Sequence, residues 1–165
     1  MYRGSAFLLQ KDYLIHRPVV EEIMKPKYAP IRAITLQGLN GDATNELSRM
    51  ILELVCWVKS FYTEYIEQTP DDVINVTDTL ATKILLGTIG CIPAYDRYFI
   101  QGLRHQGLHY SVLNSKNFSE LLKYCIAQEP EFTEAQEEIA KYGINYPVMK
   151  VVDMHFWITG KNASP

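Results

Sequence analysis

No apolar run in the 165-residue chain approaches the roughly 18 residues that a membrane span needs. The apolar stretch in MYRGSAFLLQK is also too short for a signal-peptide core. Cysteine is scarce: Cys56, Cys91 and Cys125 are odd in number and widely spaced, and no CxxC pair occurs. That excludes a disulfide framework and leads us to expect free, reduced thiols in a cytoplasmic protein with no membrane partner. An excess of positive charge is missing too. Sixteen basic against nineteen acidic residues leave a net charge of −3, so nucleic acid would have to be held by a local patch. Repeats and low-complexity tracts are absent. So are GxxxxGK[ST], GxGxxG, HExxH and GxSxG, which removes the common nucleotide, zinc-protease and serine-hydrolase signatures. No cofactor is expected. Metal ligation has little to build on, because Asp153 and His155 are two apart and point about 200° away from each other on a helix. His16, His105 and His109 are scattered, and each reads as a satisfied core or surface histidine.

What remains is an ordinary globular composition, 47% hydrophobic and 21% charged, in a chain long enough to bury a core. Pro and Gly punctuate it. Ala6 to Leu9 is open between a short strand and a helix edge. Pro18 suits the first turn of a helix through VVEEIM, and 25–40 reads as an irregular connection. From about Ala43 to Glu67, Leu47, Met50, Ile51, Leu54, Val58, Phe61, Tyr62 and Tyr65 recur at helical spacing, with Asp42 as a candidate N-cap. Val55, Cys56 and Trp57 widen that apolar face, so this helix is expected at the centre with Cys56 buried. After a turn at Thr69-Pro70, Asp78 is a candidate cap for a buried helix ending at Gly90. Further helices are expected from Pro93, from Asn117 (with Glu120 at capping-box spacing), from Pro130 and from Pro147. The helix at Pro130 would turn Phe132, Ala135, Ile139 and Tyr142 inward, and the last would turn in Val148, Val151, Val152, His155 and Phe156. The expected fold is one all-α domain over 1–165, a bundle of six or seven helices around the helix near 43–67.

Two segments carry candidate chemistry. In TDTLATKILLGTIGCIPAYDRYF, residues 77–99, an apolar helix with Ala81 and Lys83 leads through a short loop into IPAYD and a new helix. This arrangement resembles the helix-hairpin-helix DNA glycosylases. In that family an aspartate stabilises the developing cationic sugar or activates a nucleophile, and the resemblance puts Asp96 at that position as the catalytic candidate. The family's hairpin glycines have no counterpart in VINVTDT, and Lys83 lies one turn beyond Thr79, where the family's Schiff-base lysine falls. The resemblance therefore implies at most a helical scaffold, and a nucleic-acid-associated protein on that scaffold, binding through a local basic patch, is the function expected. The competing reading is structural: Pro93 and Asp96 both suit a first helical turn, and Lys83 either pairs with Asp96 or extends to solvent.

The second segment, Arg104-His105-Gln106-Gly107-Leu108-His109, resembles the Arg-x4-His pattern of HEPN-type ribonucleases. There the Arg would hold a phosphate and the His would do acid/base work. Gly107 costs about 1 kcal/mol in a helix interior, which favours reading the segment as a basic helix end and loop. Lys83, Arg97, Arg104, His105, His109 and Lys116, interleaved with Tyr95, Tyr98 and Tyr110, are the chain's nearest approach to a nucleic-acid-binding patch. Eleven tyrosines suit a protein partner too, and the alternative is a regulatory or interaction module without catalysis, which needs no motif at all.

Overall fold

The computed structural model describes residues 13–32, 34–39, 41–67, 76–110 and 112–163. The expectations for Ala6 to Leu9 and for the turn at Thr69-Pro70 lie outside these residues. Eight α-helices and no strand occur among them: α1 Arg17–Ile23, α2 Ala29–Arg32, α3 Gly41–Glu67, α4 Asp78–Thr88, α5 Arg97–His105, α6 Ser115–Ala127, α7 Glu129–Ala140 and α8 Val148–Asn162. The all-α expectation holds. The connection at 25–40 is more ordered than expected, because a 3₁₀ turn at Pro26–Tyr28 and α2 tuck Tyr28 and Ile31 into the core.

The long helix α3 packs against α1, α2, α4 and α6. Ile51, Leu54, Val55, Val58 and Tyr62 are buried along its inward face. Burying side chains of that size stabilises by about 1.5–3 kcal/mol each. Cys56 corrects the expectation, for it is exposed. It sits about 200° around the helix from Leu54, on the face opposite the buried stripe. Asp42 falls inside the first turn of α3 rather than ahead of it.

Several helix starts also differ from the sequence reading. Thr77, not Asp78, caps α4 by accepting the Leu80 amide. Asn114 rather than Asn117 caps α6, accepting from the Asn117 amide at 2.9 Å. Only one side of α4 is buried, by Ala81, Thr82 and Leu85. Tyr142 is 82% exposed, since α7 ends at Ala140 and the position lies beyond its last turn.

Pro93 does not open α5. Residues 91–95 are a buried, non-helical strap, and side chains from elsewhere hold three of its backbone groups. The Ala94 amide donates to Asp153 Oδ1 at 2.9 Å, and the Tyr95 amide donates to Thr82 Oγ1 at 3.0 Å. Thr79 Oγ1 donates to the Tyr95 carbonyl at 2.6 Å. With those bonds made the strap need not become helix, and α5 begins only after Asp96. Beyond the strap, α5 and α8 pack at backbone contact, with Gly102 and Gly160 at the crossing.

Candidate functional site

The exposed side of α4, the strap and the outer face of α8 enclose an open groove of about 830 Å³. Leu86 and Ile89 supply apolar lining from α4 and the turn after it. Met154, Trp157 and Ile158 supply it from α8. Ile158 is 54% exposed, a large aliphatic side chain left bare in a concave surface. The groove's end is fixed by Gly90, whose φ of +63° favours glycine. Pro147 packs so closely there that a Cβ would lie 2.3 Å from its Cγ.

Two ion pairs sit in this lining. Lys83 reaches Asp96 Oδ2 at 3.3 Å, and Lys150 donates to Asp153 Oδ2 at 2.9 Å. Each carboxylate also holds backbone. Asp96 Oδ1 accepts the Tyr98 and Phe99 amides, both at 3.1 Å, and so caps α5. Asp153 Oδ1 carries the strap through Ala94. Each carboxylate joins a lysine of the groove to backbone of a neighbouring element. The charges of the groove are thus arranged to hold α4, α5 and α8 together.

Beside the groove, cations lie over aromatic rings. The Arg97 guanidinium is 4.6 Å from the Tyr98 ring centroid and donates to the Tyr98 hydroxyl at 2.6 Å. Tyr98 meets Trp157 edge to face, with centroids 5.2 Å apart, and Lys161 Nζ lies 5.1 Å from the Trp157 ring. Trp157 is therefore shared between the groove and this cationic flank.

Of the residues singled out in the sequence, Lys83 and Asp96 meet at the groove, and Arg97 stands on its flank. Arg104 and His105 occupy the last turn of α5 and are exposed. That helix ends at Gly107, with φ +76°, where the Leu108 amide donates to the Leu103 carbonyl at 2.9 Å. His109 lies past this turn and Lys116 on α6, both exposed, so a helix end separates Arg104 from His109. None of these four lines the groove. Lys150, Met154 and Trp157 were not singled out in the sequence, and Asp153 entered only as a metal ligand that was set aside. The signal for Met154 and Trp157 is that, with Ile158, they recur at i, i+3, i+4 and widen the apolar side of α8 beyond the inward valines.

A different polar node lies away from the groove. Asp78 Oδ1 accepts from Lys59 at 2.6 Å, and Oδ2 accepts from the Tyr110 hydroxyl at 3.1 Å and the Leu113 amide at 3.3 Å. Burial raises its carboxyl, but the Lys59 pair and these hydrogen bonds outweigh it and hold the group below its ordinary value. Among the described residues no cluster of His, Cys, Asp or Glu is arranged to hold a metal ion. None of their helices is long and apolar enough to cross a membrane. No family model matches the chain, and comparison with curated proteins and with solved structures gives no match either.

Proposed function

We propose that this protein is a binding module without catalysis, and that the groove between α4 and α8 receives apolar side chains of a protein partner. One observation carries the reading. The charged groups of the groove are paired with one another, while Ile158 and its apolar neighbours face open space. A small-molecule site usually presents a few convergent polar groups to orient its ligand. A helix-binding groove instead presents aliphatic surface between two helices. The test is selection of peptides from a displayed library of amphipathic helices. Binders recovered on the wild-type protein should lose binding to Ile158→Asp, whose new carboxylate would sit in the apolar lining. Recovery of binders indifferent to that substitution, or of none, would remove the reading.

A second reading, a nucleic-acid-associated protein, draws on Arg97 and Arg104, seven residues apart on one face of α5 and both exposed. It would make binding fall steeply with salt, and Arg104→Ala should flatten the salt slope by about one unit. Gel-shift titrations with duplex DNA, single-stranded DNA and RNA at two salt concentrations test it, and no shift at low salt ends it. On the HEPN variant of this reading, His109→Ala would abolish RNA cleavage and Asp96→Asn would not.

A further inference from the structure

We infer that the partner segment is an acidic amphipathic helix, with its apolar side in the groove and its carboxylates against Arg97 and Lys161. This rests on the groove reading above and adds the chemistry of the occupant. Among the described residues this face carries four cations, Lys83, Lys150, Arg97 and Lys161, and two carboxylates, Asp96 and Asp153. The local balance is therefore positive on a chain whose net charge is −3. The two lysines inside the groove are matched by its two aspartates, so the uncompensated charge belongs to the flank. There Arg97 lies along Tyr98 and Lys161 over Trp157, both on aromatic rings. A cation held on a ring is positioned before a partner arrives, which lowers the ordering cost of a charge-assisted contact. Apolar anchors in the groove with acidic residues on one flank match this layout, and a basic segment would be repelled.

Single-stranded nucleic acid fits the same face less well. Bases need open aromatic faces to stack on, whereas Tyr98 and Trp157 meet edge to face with cations over their rings. The apolar lining of the groove is mostly aliphatic side chains and Met154, with Tyr146 and Trp157 as its rings.

The experiment uses the full chain and the amphipathic-helix library, with the flanking positions randomised and the selected peptides synthesised for titration. Arg97→Glu/Lys161→Glu and Ile158→Asp are compared with wild type after circular dichroism confirms that each is folded. We expect Glu and Asp to be enriched at flanking positions. Arg97→Glu/Lys161→Glu should weaken the selected peptides at least tenfold, with the loss shrinking as salt is raised. Ile158→Asp should weaken them whatever their flanks. Peptides that depend on Ile158 but carry neutral or basic flanks and ignore the charge reversal overturn the acidic occupant while leaving the groove reading intact. Peptides that ignore Ile158→Asp overturn the groove reading itself. A fluorescein-labelled oligo-dT or oligo-U that binds wild type, loses binding on charge reversal and ignores Ile158→Asp overturns the peptide in favour of nucleic acid.

Discussion

Gly160 lies against the backbone of Gly102: a Cβ on Gly160 would come 2.6 Å from the Gly102 amide nitrogen and 1.9 Å from the Tyr98 carbonyl oxygen. A Cβ on Gly102 would in turn lie 2.0 Å from the Phe156 carbonyl oxygen. Both obstacles are backbone, which no rotamer change relieves. Gly160→Ala and Gly102→Ala should each destabilise by about 1–3 kcal/mol or more, as overpacking does. Because the same crossing sets the distance from Tyr98 to Trp157, either substitution should also alter Trp157 fluorescence in a Trp57→Phe background. Urea denaturation of the two variants checks the stability, and wild-type midpoints would refute the contact.

The thiols differ in reach. Cys56 is exposed, while Cys91 and Cys125 are buried and desolvation pushes each thiol up to about 12. Native protein without reductant should therefore expose one fast-reacting thiol to an aromatic disulfide reagent, and three after denaturation. Cys56→Ser should abolish the native reaction. Two or more fast thiols in the native state would contradict the burial.

These contrasts define what the sequence could reveal. The buried stripe of α3 was legible because Leu54, Val58 and Tyr62 repeat at helical spacing, but the direction of Cys56 was not, since Val55, Cys56 and Trp57 blurred the width of the face. Lys83 and Asp96 were recognisable as partners because only a short loop separates their helices. Asp153 was not, because its reason for burial is the Ala94 amide, 59 residues away. Tertiary hydrogen bonds of that kind hold the strap at 91–95 out of a helix although Pro93 is a good helix opener. The cap of α6 moved from Asn117 to Asn114 for a local reason instead, as Asn117 donates its side-chain amide to the Val112 carbonyl.

His155 lies between the Phe132 and Phe156 rings, with centroids 5.4 and 5.1 Å away, and its Nε2 is buried without a hydrogen-bond partner. Desolvation lowers its affinity for a proton, opposed by the charge of Glu131. The unfolded chain takes up that proton near 6.5 and the folded chain only at lower pH. Stability from this group is thus full above about pH 6.5 and is lost as pH falls toward the folded value. His16 is also lowered by burial and acts in the same direction. His155→Phe should remove part of the decline between pH 7 and 5, measured by urea midpoints. A slope equal to that of wild type would show that His155 is not responsible.

Asp78 governs a more acidic range. Its folded carboxyl is held below the ordinary 3.8, so the Lys59 pair is intact above that value and is lost as pH falls through the folded one. Asp78→Asn keeps one acceptor oxygen for Tyr110 and Leu113 and puts an amide NH2 in place of the charge opposite Lys59. It should lower stability at pH 7 by about 1.5–3 kcal/mol, the usual worth of a hydrogen bond to a charged group. It should also flatten the stability profile below pH 4. An unchanged acid limb would refute the assignment.

Asp96 is the residue at which structure and chemistry can be separated by choice of substitution. Its Oδ1 caps α5 and its Oδ2 faces Lys83. Asp96→Asn and Asp96→Ser retain a capping oxygen and remove the charge, whereas Asp96→Ala removes both. As a cap alone, Asp96→Ala should cost about 0.5–2 kcal/mol and the other two clearly less, because the ion pair is partly solvent-exposed and worth little. Thermal or urea denaturation gives that order. Base-excision chemistry would impose a different one: Asp96→Asn, although stably folded, would lose all release of base from a DNA duplex bearing a damaged base, while any binding to that duplex persisted. On the binding-module reading no base is released by wild type, and peptides selected on the groove tolerate Asp96→Asn within a few-fold because Lys83 is not their anchor. Base release by wild type that Asp96→Asn abolishes would make this aspartate catalytic and set the binding-module reading aside.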